Sequence, residues 1–156
     1  MSRRNISKKR FPQMDSVYNS YLVNLIISKI LKSGKKNLAQ KIVYKAFHLI
    51  QTRTNNNPLI VFENAIRKAS PLVEVKSRRI GGSMNQVPVE ISGFRSTNLA
   101  LRWIIKYSKE KTGRTMAIKL AGEMIDAANG IGQTIKKKEE VHRMAEANKT
   151  FAHIKQ

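Results

Sequence analysis

The stretch Lys76-Ser77-Arg78-Arg79-Ile80-Gly81-Gly82-Ser83 sets three cations ahead of two glycines, residue types that together suit a phosphate. Ammonium and guanidinium groups supply charge and directed donors, and glycine lets the main chain approach an anion closely. Further cations cluster elsewhere. Arg3, Arg4, Lys8, Lys9 and Arg10 crowd the start of the chain. Lys35-Lys36 and Lys136-Lys137-Lys138 fall at expected helix starts, where positive charge opposes the helix dipole and a phosphate relieves the conflict. Arg95, Arg102, Lys106 and Lys109 lie near one side of a helix. Plainer roles compete: charges on an exposed ribbon block edge pairing, and long stems can cover apolar surface. Neither Gly81-Gly82 nor Gly130-Ile131-Gly132 has the spacing of a nucleotide cradle, so both read as turn glycines.

Catalytic chemistry is poorly supplied. His48, His142 and His153 are widely spaced, and there is no cysteine, hence no disulfide, no thiolate metal site and no cysteine nucleophile. His142 and Glu146 stand four residues apart, a spacing open to a ribonuclease-like acid and base, but a surface hydrogen bond is the simpler expectation. Adjacent Glu139 and Glu140 point to different sides of a helix and form no carboxylate dyad. No catalysis, metal or cofactor is therefore expected.

Thirty Lys and Arg against ten Asp and Glu leave a formal charge of +20, which repels itself unless a polyanion joins the fold in use. Residues 1–53 hold twelve of the bases and a single acid, Asp15. Nucleic acid is the expected partner, with RNA preferred and an architectural DNA-binding role as the alternative. No stretch approaches the ~20 apolar residues of a membrane-spanning helix. Residues 1–10 lack the apolar segment of a secretory signal and are read as part of the mature protein.

These groups need elements to position them. Residues 1–15 read as a disordered basic arm and 16–156 as one mainly α domain of six helices, with a protruding β-hairpin at about 72–92 between the third and fourth. Tyr21, Leu22, Leu25, Ile26 and Ile30 give a first helix over 16–32, stopped by Gly34. Leu38, Ile42, Val43, Ala46 and Leu49 give a second, which dissolves into Asn55-Asn56-Asn57. Asn57-Pro58 caps a short third helix. The period then changes to two around Val73 and Val75, and again at Val87, Val89 and Ile91. A fourth helix follows Ser96-Thr97-Asn98 with Leu99, Trp103, Ile104 and Tyr107 on its apolar stripe, so Trp103 is expected in the core. Thr115 caps a fifth, and a weakly apolar sixth spans about 134–148 with Val141, Met144 and Ala145. With aromatics at only 6%, the core is expected to be aliphatic.

Several of these segments resemble the bacterial-type ribosomal protein seven family of the small subunit. The resemblance rests on Val73-Glu-Val-Lys-Ser-Arg-Arg-Ile-Gly-Gly-Ser, Gln86-Val-Pro-Val-Glu90, His142-Arg-Met-Ala-Glu-Ala-Asn-Lys149 and Phe151-Ala-His153. It extends to Arg3-Arg4, Gly34-Lys35-Lys36, Ala100-Leu-Arg-Trp103 and Asp126-Ala-Ala128. It implies a structural protein that binds the three-prime major domain of small-subunit ribosomal RNA (rRNA) and organises the head, near the exit-site transfer RNA and the messenger path. Ribosomal proteins eleven, nine and thirteen are the implied neighbours, and no self-association is expected. The implied rRNA contacts are Arg3, Arg4, Lys8, Lys9, Arg10, Lys35, Lys36, Lys76, Arg78, Arg79, Arg95, Arg102, Lys106 and Arg114. Gly81, Gly82, Ser83, Arg143 and Lys149 are implied to face transfer RNA. Asn85 stands where the family usually has an aromatic or His, which argues against base stacking there, and Thr150 stands where Ala is usual. The Asn-, Ile- and Lys-rich chain looks more like an algal plastid copy than a bacterial cytoplasmic one.

Overall fold

The computed structural model describes residues 13–80 and 82–150. Over these the chain forms α1 (Tyr21–Ile30), α2 (Lys36–Thr54), α3 (Pro58–Ala69), β1 (Val73–Ile80), β2 (Ser83–Glu90), α4 (Gly93–Glu110), α5 (Met116–Asn129) and α6 (Gln133–Ala147). This is the expected order of six helices and one hairpin. The arm cations Arg3, Arg4, Lys8, Lys9 and Arg10, the turn residue Gly81, and the segment from Phe151 onward lie outside the described residues.

Side-chain caps set several boundaries. Asn57 accepts the Leu59 amide at 3.0 Å with Pro58 in the first helical position, and Thr115 Oγ1 accepts the Ile118 amide at 3.4 Å. Two boundaries depart from the periodicity. Residues 16–18 form a turn on Asp15, whose Oδ2 accepts the amides of Val17 and Tyr18, and Asn19 turns left-handed at φ 46°. The first helix therefore begins only at Tyr21 and ends at Ile30, before Gly34. In contrast, α4 starts at Gly93 rather than after Asn98. Thr97 and Asn98 donate to the carbonyls of Gly93 and Phe94, so side chains that look like a helix break instead bond back into its first turn.

The core centres on α5, which packs against α2, α3 and α4. Its Ala117, Ala121 and Ala127 admit close neighbours, while Leu120 and Met124 fill the space between them. Phe47 and Phe62 are fully buried with rings 5.4 Å apart, and Tyr18 stands edge-on to Phe47 at 5.0 Å. An aromatic centre thus sits within the aliphatic core. Two helices are rotated relative to their apparent stripes. In α2, Leu38 is 55% exposed and the buried face is Ala39, Val43, Ala46, Phe47 and Ile50. In α4 the buried face is Ser96, Ala100, Leu101, Ile104, Ile105 and Ser108. Leu99, Trp103 and Tyr107 are only half-buried at its margin.

The hairpin pairs antiparallel from Val73↔Glu90 to Ile80↔Ser83, which leaves a two-residue turn. Arg78 and Arg79 therefore belong to β1 and not to the turn. Strand alternation places Lys76 and Arg78 on the face of Glu74, and Arg79 on the opposite face. Pro88 is tolerated because both strands are edges. At the root, the Ile91 amide donates to the Leu72 carbonyl at 3.1 Å and Ser96 Oγ donates to the Pro71 carbonyl at 2.6 Å.

Candidate nucleic-acid interface

Two of the anticipated contacts also brace the ribbon. Arg95 Nε donates to both carboxylate oxygens of Glu74, at 3.0 and 2.8 Å, and a terminal guanidinium nitrogen lies 2.8 Å from the nearer one. Lys76 Nζ lies 3.0 Å from the other oxygen. Burial works to raise the Glu74 carboxyl, but the hydrogen bonds and charges of Lys76 and Arg95 prevail and hold it below its ordinary value. The pair thus ties β1 to α4 while Arg95 remains exposed. Beyond it the ribbon is open: Lys76, Ser77, Arg78 and Arg79 on one strand, and Gly82, Ser83 and Met84 on the other, are exposed.

Along α4, Arg102, Lys106 and Lys109 are exposed, and Lys106 Nζ sits 5.3 Å from the centre of the Tyr107 ring. Arg95 and Arg102 are two turns apart, about 10.5 Å along the axis at 1.5 Å per residue. Lys35 and Lys36 open α2 with no acid in its first turn and no side-chain cap, leaving a doubly positive end exposed. Arg114 is exposed in the α4–α5 connection, Arg143 on α6, and Lys149 just beyond it. Lys136, Lys137 and Lys138 do not open α6, which starts at Gln133. Lys137 pairs with Glu140 at 2.8 Å, and Lys138 Nζ donates to the Lys68 carbonyl at 2.7 Å. These two serve the scaffold.

Several of the acids have structural roles. Asp15, 4% exposed, accepts the Tyr44 hydroxyl at 2.8 Å and so anchors the start of the described chain to α2. Glu123, 2% exposed, accepts both the backbone amide and the hydroxyl of Thr134, at 3.2 and 2.6 Å. Lys111 Nζ lies 3.3 Å from its other oxygen and also pairs with Asp126. Burial disfavours the Lys111 ammonium, but the Asp126 and Glu123 carboxylates outweigh it and raise its pKa above the ordinary lysine value. This network joins the end of α4 to α5 and the start of α6, and sequence reasoning missed it. The available signal was Glu123 itself, an acid at a core position of an otherwise apolar helix face. Asp15, Glu74, Glu123 and Asp126 are thus engaged by protein partners, while Glu90 on the ribbon and Glu110 at the end of α4 are exposed.

His142 bonds to a different partner from the one its spacing suggests. Its Nε2 accepts the Leu72 amide at 3.1 Å, fastening α6 to the hairpin root. Burial and the Lys138 charge hold the imidazole below its ordinary pKa, so the neutral acceptor form is favoured. Because the folded-state value is depressed, this contribution is present above the unfolded value of about 6.5 and is lost as pH falls through the folded one. Exchange of the Leu72 amide hydrogen should accelerate beyond the intrinsic trend as pH falls through the lowered value of the imidazole, and His142→Ala should remove that step. An exchange profile identical in the two proteins would contradict the bond. Among the described residues, no group of three His, Cys, Asp or Glu side chains could hold a metal, and no helix is long and apolar enough to cross a membrane.

Comparison with known proteins accords with this geometry. A family model described as ribosomal protein S7p/S5e matches residues 2–149. Small ribosomal subunit protein uS7c of Trieres chinensis is 72% identical over 144 residues, covering 92% of this chain and 91% of its own. Small ribosomal subunit protein uS7 of Nostoc punctiforme and that of Trichormus variabilis are each 56% identical over 155 residues, or 99% of both chains.

Proposed function

Since this chain belongs to the S7p/S5e family of ribosomal proteins, structural components of the small subunit and not enzymes, we propose that it binds the three-prime major domain of small-subunit rRNA directly and organises the head. The observation that carries this reading is a projecting ribbon with cations on both faces, braced through Glu74 to the cationic flank of α4. The rRNA contacts are Lys35, Lys36, Lys76, Arg78, Arg79, Arg95, Arg102, Lys106 and Arg114, joined by the arm residues Arg3, Arg4, Lys8, Lys9 and Arg10. The ribbon tip at Gly81, Gly82 and Ser83, with Arg143 and Lys149, faces exit-site transfer RNA and the messenger path. Proteins eleven, nine and thirteen of the small subunit are its neighbours. The setting is the plastid ribosome, a reading supported by the higher identity to the Trieres chinensis uS7c than to the cyanobacterial proteins.

The chain should co-sediment with small subunits in a gradient, and recovery only as free protein would refute the reading. Arg78→Ala combined with Arg79→Ala should weaken binding to a three-prime-domain transcript about 10- to 100-fold, as expected for two lost charge-assisted contacts. The melting temperature should barely move, since both side chains are exposed. Unchanged affinity would remove the ribbon from the interface, and equal competition by duplex DNA would favour an architectural DNA-binding role instead.

A further inference from the structure

We propose that His142 of α6 is a positioning residue for the ribbon: by accepting the Leu72 amide it fixes the angle at which the hairpin leaves the helical body, so that RNA meets a ribbon already held in place. The inference rests on the RNA-binding reading above and gives a part in it to a side chain whose partner is the protein's own main chain. The ribbon has little packing of its own, since Val87 is the one buried residue among the described residues of its two strands. Leu72, where the hairpin begins, is 74% exposed, so its side chain does not anchor the root either. Attachment therefore falls on bonds to the main chain between α3 and β1.

Those bonds come from two sides. Lys138 and His142, one turn apart on α6, reach main-chain groups that are also four residues apart: Lys138 Nζ donates to the Lys68 carbonyl at 2.7 Å, and the Leu72 amide donates to His142 Nε2 at 3.1 Å. From α4, Ser96 Oγ donates to the Pro71 carbonyl at 2.6 Å, and Arg95 grips Glu74. Helix α6 is itself fixed at its start, where Glu123 of α5 accepts the amide and hydroxyl of Thr134. Of these bonds, the one to His142 depends on a group that titrates near neutral pH. A neutral imidazole with its hydrogen on Nδ1 accepts at Nε2, whereas a protonated one turns a second donor toward the Leu72 N–H and the bond is lost. Helix α6 packs on α3, α4, α5 and both strands. The charged groups in reach of the root are Lys138, Glu139 and Glu146 on α6, Lys68 on α3, Glu74 and Lys76 on β1, Glu90 on β2 and Arg95 on α4. Glu123 and Asp126 of α5 are engaged by Lys111 at the other end of α6. Glu74 is engaged by Arg95 and Lys76, and burial with the Lys138 charge favours the neutral imidazole.

The sign of a pH response separates positioning from direct contact. An imidazole that merely faced RNA would gain charge on protonation and strengthen binding, whereas one that holds the ribbon should release it and weaken binding. His142→Gln keeps an acceptor near the Nε2 position and does not titrate, so it serves as a reference that cancels the titration of His48 and His153. Binding to a three-prime-domain transcript is measured at about 0.15 M salt, where charges more than about 8 Å apart are largely screened. The affinity of the parent chain relative to His142→Gln should fall as pH is lowered through the imidazole's value. At neutral pH those two should bind alike, and His142→Ala should bind about 3- to 10-fold more weakly, the worth of one hydrogen bond. Added to Arg78→Ala and Arg79→Ala, it should cost almost nothing further, because it acts through the ribbon. A relative affinity that rises or stays flat as pH falls, or an equal cost of His142→Ala with and without the two arginines, would overturn the inference. The pH comparison uses the folded parent and so decides the matter even where His142→Ala fails to fold. Failure of the RNA-binding reading would look different: the two arginine substitutions would then leave affinity unchanged on their own.

Discussion

Raising salt from 50 to 200 mM is expected to weaken binding to three-prime-domain RNA by roughly 10³- to 10⁵-fold, the loss that follows if about 6 to 10 phosphates are contacted. The number of exposed cations makes that range reachable: Arg78 and Arg79 on the ribbon, Arg102, Lys106 and Lys109 on α4, Lys35 and Lys36 at the start of α2, and Arg114 between α4 and α5. Each phosphate they engage releases counterions from the RNA, and added salt opposes that release. A surface that recognised RNA mainly through apolar stacking would respond weakly; here Trp103 is half-buried, and the exposed rings of Tyr21 and Phe94 are outnumbered by these cations. Binding isotherms at four or five salt concentrations measure the slope. A flat slope would contradict the electrostatic account, however tight the binding.

The largest effect expected on the protein itself comes from Glu123. Replacing it with Ala should cost about 3–5 kcal/mol in urea unfolding, the range for removing one partner of a buried charged network. The substitution strands the amide and hydroxyl of Thr134, which have Glu123 Oε1 as their acceptor, and leaves Lys111 with Asp126 alone. Against a usual total of about 5–15 kcal/mol, such a loss brings the fold near its limit. Glu123→Gln keeps an oxygen for Thr134 and should cost less, with RNA affinity unchanged wherever the variant is folded. A cost below about 1 kcal/mol for the Ala variant would mean that water or rearrangement satisfies Thr134, and that the network does not hold α6 to α5.

The sequence made the elements legible because each follows from local rules. Asn57 ahead of Pro58, Thr115 ahead of an apolar run, and alternation on both sides of Gly81-Gly82 suffice to place two helix starts and the hairpin. The buried faces of α2 and α4 were harder to read. Apolar side chains flank both faces there, and the choice between them depends on how closely neighbouring helices approach, which Ala39, Ala46 and Ala100 allow. Long-range polar bonds left almost no trace: Arg95 meets Glu74 across 21 residues, and His142 meets Leu72 across 70. The basic character of the candidate interface was plain from residue types. That Arg95 and Lys76 also brace the ribbon, and that Lys138 bonds to the Lys68 carbonyl at the end of α3, depended on which elements fold against one another.

The absence of cysteine permits a direct test of which surface meets RNA, because single cysteines can carry a tethered hydroxyl-radical source without background labelling. Probes at Arg79→Cys on the ribbon and Lys106→Cys on α4 should cleave the three-prime major domain in reconstituted small subunits, while a probe at Glu63→Cys on exposed α3 surface should cleave it weakly. Strong cleavage from Glu63→Cys with none from the ribbon or α4 would show that the cationic face looks away from RNA.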